Sequence, residues 1–317
     1  MLLLDQYLLF LAKGLTVLFF ILLIIKASTK KARSHKPSIT HYNKEALEDQ
    51  ASTCKELKSF KHFKSVLKKI KKSTKALSKP SEHLFVLDFD GDIKASQVSV
   101  LRQEINLILS IANENDQVLI RLNSRGGTVT GYGLAASQIH RIRKAGLHLT
   151  IAIDEMAASG GYLIASLANQ IIAAPFACIG SIGVAYELPN IYQLLAKHGI
   201  EYKQITAGKY KRTLSVFGEP TEEGENKVKE DAELTHKLFK EHITQYRDLN
   251  LDEVATGETW PATVAHEKGL VDQLYTSDEY IQDHLTSHAI FIISTPTEES
   301  LLKTLKAKAI QALQALG

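Results

Sequence analysis

A serine attacks a carbonyl only when one group takes its proton and others receive the charge that develops on the carbonyl oxygen. Two serines in this chain stand behind a pair of alanines: Ser137 in GLAASQIHR (Gly133 to Arg141) and Ser159 in EMAASGGYL (Glu155 to Leu163). Only Ser159 is followed by glycines, Gly160 and Gly161. Ser137 falls in the middle of a helical pattern, where a serine bonds back to the backbone. Ser159 follows a strand pattern and opens the next helix, at the sheet edge where ligands bind in open α/β folds. A helix start offers free N–H groups and a positive dipole end. Glycine there lets a substrate approach the backbone closely. Ser159 can therefore attack a carbonyl while the Gly160 N–H faces the oxyanion. The competing explanation is a tight turn of small residues that only lets a helix pack on a sheet.

A second glycine pair, Gly126 and Gly127, lies in NSRGGTV (Asn123 to Val129) at the end of the preceding strand pattern. Neighbouring parallel strands bring such loops to one edge, so the N–H of Gly126 or Gly127 can supply a second oxyanion donor. Ser124 is a rival nucleophile in that loop, but it precedes the glycines and does not start a helix. His140, His148, His198, His236, His242 and His266 could serve a Ser–His–Asp triad, although most lie on helices or at their ends among polar neighbours. With only Cys54 and Cys178 there is neither a disulfide framework nor a cysteine-built zinc site.

The elements that must position these residues alternate. Strands are predicted at Leu84–Phe89, Gln117–Asn123, Leu147–Asp154 and Gln170–Pro175. Helices are predicted at Val98–Glu114, over 130–145, over 157–168 and at Glu222–Tyr246. Strand–helix alternation implies βαβ units and a largely parallel sheet, hence an α/β fold. Four regions follow: 1–26, 27–80, 81–295 and 296–317. Tyr7 to Lys26 is an apolar stretch broken by Lys13, near the roughly 20 residues that cross a bilayer. It is longer than a signal-peptide core and no basic stretch precedes it, so it reads as an uncleaved transmembrane anchor. Residues 27–80 form a lysine-rich linker whose Leu57, Phe60, Phe63, Val66, Leu67 and Ile70 recur at helical spacing, either a lipid-binding amphipathic helix or a solvated stalk. An amphipathic helix is expected over 296–317. The net charge of +3 is too small to imply a nucleic-acid partner.

The ordered stretches NSRGGTVTGYGLAASQ, IDEMAASGGYLIA, APFACIGSIGV, TAGKYKRTL and TGETWPATVAHEKGLVD resemble the signal peptide peptidase A family. The likeness runs from the anchor to about Asp272 and is loosest in the basic linker. It implies a Ser–Lys peptidase on a crotonase- and ClpP-like βαβ fold, needing no cofactor or metal. On this sequence the nucleophile matches Ser159, the general base Lys211, the serine orienting the lysine amine Ser181, and the oxyanion donors Gly160 and Gly126. Lys209 and Lys211 lie two apart in one loop, so spacing alone does not choose between them; Lys211 rests on the likeness. A lysine base needs an apolar, partner-poor site, because its ordinary pKa of about 10.4 keeps it protonated. Where the family has proline before the glycines, this chain has Arg125, which does not stiffen the loop.

Implied substrates are extended peptides such as signal-peptide remnants or membrane-derived segments, and implied partners are the lipid bilayer and further copies of the chain in a ring. Lys26, Lys30, Lys31, Arg33 and Lys36 after the span favour a cytoplasmic domain by the positive-inside rule, whereas the likeness favours the periplasmic face of a bacterial inner membrane. The periplasmic face is the expectation. An acyl-CoA enzyme of the crotonase type and a catalytically silent membrane scaffold are the alternatives.

Overall fold

The computed structural model describes residues 36–43, 82–285 and 287–295, together with Lys13, Thr16 and Ala46. Two compact units divide the chain, and Pro37–Ser294 is the one described below. The predicted anchor (Lys13 and Thr16 apart), most of the basic linker and the C-terminal helix lie outside the described residues. Among the described residues no helix is long and apolar enough to cross a membrane.

Strand β2 (His83–Gly91) pairs in parallel with β3 (Gln117–Ser124), and β3 in turn with β4 (His148–Ile153). The sheet continues in parallel through β6 (Gln170–Ala173) to β9 (Gln273–Leu274) on one side and to β10 (Ala289–Ser294) on the other. Side chains of β2 alternate between two apolar clusters. Phe85, Leu87 and Phe89 join the cluster under helices α1 (Val98–Ile111) and α2 (Val129–Lys144). Leu84 and Val86 join Tyr280 and Ile281 of another helix, Ser277–His284, on the opposite face. Burial on both faces explains why these strands read as apolar runs rather than strict alternation. The α1 face that packs inward carries Val98, Leu101, Ile105 and Ile108, at the spacing that puts them on one stripe.

A smaller sheet branches from the end of β3. The short β5 (Met156–Ala158) pairs with β3 at Ser124↔Ala157, then with β7 (Cys178–Gly180), which pairs with β8 (Thr259–Pro261). This corrects the single helix expected over 157–168. Ala157 and Ala158 are strand residues, and the helix, α3, covers only Gly160–Ala165. The two alanines are small enough to sit inside the branch, and the positive φ of Ser159 separates strand from helix. The long helix, Glu222–Thr244, lies as expected, its start capped by Thr221 and lined with Glu222, Glu223 and Glu225.

Ser38–His41, within the stretch read as linker, form β1, which closes the sheet edge antiparallel to β10. Just beyond it, Asn43 is 1% exposed. Its Nδ2 donates to the carbonyls of Leu285 and His288, both at 3.0 Å, and its Oδ1 accepts from Ile290 N–H at 2.6 Å. Alanine there leaves buried backbone groups unpaired. Asn43→Ala is expected to lower unfolding free energy by about 2–3 kcal/mol, read as an earlier midpoint in urea with an unchanged slope.

Candidate active site

The branch point brings the two glycine loops together. Ser159 directly follows β5 and is the N-cap residue of α3. Its backbone sits at φ 52°, ψ −119°, a region that residues with a side chain rarely adopt. Two hydrogen bonds hold it there: Ser159 N–H donates to Gly180 O at 2.8 Å, and Ser159 O accepts from Leu163 N–H at 3.0 Å. The result is a half-buried serine at a sharp strand-to-helix turn, ahead of the leading N–H groups of α3.

Gly126 packs directly against this turn. It has φ +85°, and a Cβ there would lie 2.7 Å from Gly160 N, 2.8 Å from Ala158 O and 2.8 Å from the Ser159 Cβ. Gly161 is similarly pressed on Ser124 O, 2.7 Å from where its Cβ would be. The glycines are thus required by close backbone approach, as well as by turn geometry. The Gly126 N–H donates to Ser124 Oγ at 3.1 Å. Arg125 is exposed and lines a cleft of about 240 Å³ with Asp90, Asn123, Glu155 and Met156.

Ser181 follows β7, whose last residue Gly180 accepts the Ser159 N–H. It too has a positive φ, 51°, and its N–H donates to Glu258 O at 2.5 Å. Ser159, Gly160, Gly126 and the Gly180–Ser181 turn are therefore joined through backbone contacts. Lys211 is not drawn into that group. It lies in an irregular stretch before the long helix, its backbone N–H bonded to Gly208 O, and its side chain is exposed. Among the described residues that side chain has no hydrogen bond or ion pair. Lys209 differs: its Nζ is 2.6 Å from Glu223 Oε1 and 4.9 Å from the Tyr210 ring centroid. The hydrogen bond to Glu223, with Tyr210 adding to it, pushes the Lys209 ammonium well above its ordinary value.

The other candidates are occupied elsewhere. Ser137 Oγ donates to Gly133 O at 2.8 Å, the back-bond expected of a mid-helix serine. Ser124 is 2% exposed, with its Oγ 2.5 Å from Tyr132 Oη. His242 Nε2 is 3.1 Å from Leu163 O, which can only accept, so that nitrogen carries the proton. Burial pushes the His242 pKa below its ordinary value. His266 Nδ1 meets Val271 O and His140 Nδ1 meets Tyr246 Oη. Among the described residues no histidine is hydrogen-bonded to Ser159. No group of described residues has the makings of a metal site. Sequence reasoning passed over Tyr132, whose ring lies under Gly160. A Cβ on Gly160 would fall 2.4 Å from Tyr132 Cγ. A lone tyrosine on an apolar helix stripe gives no chemical signal, and only its contacts reveal it.

Comparison with known proteins bears on the same segments. Residues 2–139 match the model for the N-terminal part of peptidase family S49, and residues 141–289 match the model for peptidase family S49 itself. The chain is 50% identical over 230 residues to the probable protease SohB of Buchnera aphidicola subsp. Schlechtendalia chinensis, covering 71% of this chain and 75% of that one. It is 44% identical over 236 residues to the probable protease SohB of Haemophilus influenzae, covering 74% of this chain and 67% of that one. Among solved structures it is similar to a membrane-bound stomatin-specific protease in complex with a substrate peptide, at 13% identity and a TM-score of 0.42, covering 72% of this chain and 98% of that one. Matched along nearly its whole described length, and half identical to one protease over most of it, the chain belongs to peptidase family S49 and is a protease.

Proposed function

We propose that this protease is a membrane-anchored serine endopeptidase that uses a Ser159–Lys211 dyad on extended peptides such as signal-peptide remnants or membrane-derived segments. The observation that carries the reading is the strained Ser159 turn with Gly126 packed against it and α3 beginning at Gly160. Neutral Lys211 takes the Ser159 proton, and Oγ forms a bond to the substrate carbonyl carbon. The displaced π electrons become an oxyanion facing the N–H groups of Gly160 and Gly126. The Gly126 N–H donates to Ser124 Oγ at 3.1 Å, so in holding the oxyanion it is shared between that oxygen and the oxyanion as a three-centre bond. The oxyanion collapses, the C–N bond breaks, and Lys211 returns the proton to the leaving amine. Water then hydrolyses the ester at Ser159. Ser181, at the end of β7, orients the Lys211 amine.

Lys211 suits the base role better than Lys209, because Glu223 holds the Lys209 ammonium protonated. An exposed lysine still has to be desolvated to work as a base. A neighbouring copy supplies that cover in a ring-like homo-oligomer. Support comes from Tyr186, Leu188, Leu194, Ile200 and Ile205, large apolar side chains exposed between β7 and the Lys211 loop. Tyr7–Lys26 forms the bilayer anchor in the bacterial inner membrane, with the catalytic unit on the periplasmic face. Treating the full chain with a fluorophosphonate, then measuring intact mass and mapping the adduct, tests the reading. One adduct on Ser159 is expected. No adduct, or one on Ser124 or Ser181, overturns it and leaves the acyl-CoA enzyme or silent scaffold.

A further inference from the structure

Tyr132 is 1% exposed, and it touches both loops of the site. Its ring fills the space beneath Gly160 and stands edge-on to Phe89. Its hydroxyl is 2.5 Å from Ser124 Oγ and 2.9 Å from Asp92 O. Ser124 Oγ also accepts from Gly126 N–H at 3.1 Å. The two ends of this series fix its direction. A backbone N–H can only donate and a carbonyl can only accept. Ser124 Oγ also reaches Gly91 O, but at 3.4 Å, so the shorter contacts decide: Tyr132 Oη–H donates to Asp92 O and accepts from Ser124 Oγ–H, which in turn accepts from Gly126 N–H. Burial pushes the Tyr132 hydroxyl above its ordinary pKa, so it stays protonated and keeps donating. Asp92 is itself anchored, since its carboxylate accepts from both Ser96 N–H and Ser96 Oγ at 2.7 Å. The next residue, Ile93, accepts Thr128 N–H at 2.8 Å, tying the same loop to the far side of the glycines.

We propose that Tyr132 and Ser124 are positioning residues for the oxyanion hole, holding Gly126 against Ser159 while the Tyr132 ring supports Gly160. Neither hydroxyl touches substrate. Ser124 is buried and its hydroxyl is taken, so its chemistry is to set the Gly126 loop in one conformation. Hydrogen bonds aligned head to tail in a buried setting polarise one another, so breaking any link loosens the whole series.

The inference rests on Ser159 and Gly126 acting as proposed above. The test uses the full chain and its Tyr132→Phe, Ser124→Ala and doubly substituted forms, with Ser137→Ala as a control outside the site. Phenylalanine keeps the ring under Gly160 and removes only the hydroxyl. With an internally quenched peptide that the unsubstituted chain cleaves, Tyr132→Phe is expected to lower kcat about 10- to 100-fold, less than the roughly 10²–10³ of a lost oxyanion donor because the donor is loosened and not removed. KM should stay within about threefold, the signature of a contact made in the transition state alone. Ser124→Ala should cost a similar factor, and the double variant no more than the worse single, because both break one chain.

Fluorophosphonate labelling of Ser159 should slow in parallel, while Ser137→Ala labels normally. Failure of the unsubstituted chain to label at Ser159 defeats the parent reading, whatever Tyr132 does. Labelling at Ser159 with kcat of Tyr132→Phe within about twofold of normal defeats this inference alone, as do losses that multiply in the double variant. If Tyr132→Phe melts too early to assay, Ser124→Ala decides by the same criteria.

Discussion

Lys211→Ala is expected to cut peptide cleavage by about 10³-fold or more while leaving the melting temperature unchanged. Removing a general base costs roughly 10²–10⁴ in rate, and a serine hydroxyl with no base has little nucleophilicity near neutral pH. The fold should not notice, because the Lys211 side chain is exposed and makes no hydrogen bond or ion pair among the described residues. Lys211→Arg should be as inactive as alanine, since a guanidinium does not give up its proton. Lys209→Ala supplies the contrast. It removes the tie to Glu223 and should leave most of the rate. The readout is initial rate on a quenched peptide beside the labelling rate at Ser159. Normal labelling of Lys211→Ala would sink the dyad, and loss with Lys209→Ala alone would transfer the base to the neighbouring lysine.

Gly126→Ala should be nearly as damaging by a different route. The added methyl meets backbone at Gly160 N and Ala158 O and the Cβ of Ser159, all within 2.8 Å. None of these is the far end of a flexible side chain, so the loop must shift. The native φ of +85° is also strained for alanine. Overpacking of this kind costs about 1–3 kcal/mol in stability. Displacing the loop removes an oxyanion donor, and kcat is expected to fall at least about 100-fold. Gly133→Ala is the matched control: nothing lies within 4 Å of its added Cβ, and it should melt and cleave normally. A Gly126→Ala chain that keeps full turnover would show that this loop does not bear on the reaction.

Much of this arrangement is legible in the residues. Leu84–Phe89 and Gln117–Asn123 read as apolar runs because the strands are buried on both faces, and Val98–Glu114 carries one apolar stripe because only one face of that helix packs inward. The serine before two glycines stands at a helix start, and strand order alone implied that the Asn123–Val129 loop would reach it. What escaped was set by contacts distant in sequence. Ala157 and Ala158 favour helix by local propensity, yet pairing with Ser124 and Gly180 makes them strand. Ser124 resembles a free loop serine until Tyr132, eight residues later, takes its hydroxyl. The lysine loop is the least legible part. A two-residue spacing puts Lys209 and Lys211 on one side of an extended strand, but the chain turns there, and an ion pair with Glu223 separates their chemistry.

The position of β1 bears on how the domain survives being cut. The chain docks on the sheet at Ser38–Asn43, leaves, and returns at His83 beside the strand that β1 covers. Both ends of the intervening residues are fixed at neighbouring places on one sheet. A protease nick between them turns β1 and Asn43 from a covalently tethered part of the domain into a free ligand for an open edge. A catalytic unit begun at residue 82 would lack that edge strand and the clamp on Leu285, His288 and Ile290, whereas one begun at residue 36 keeps both.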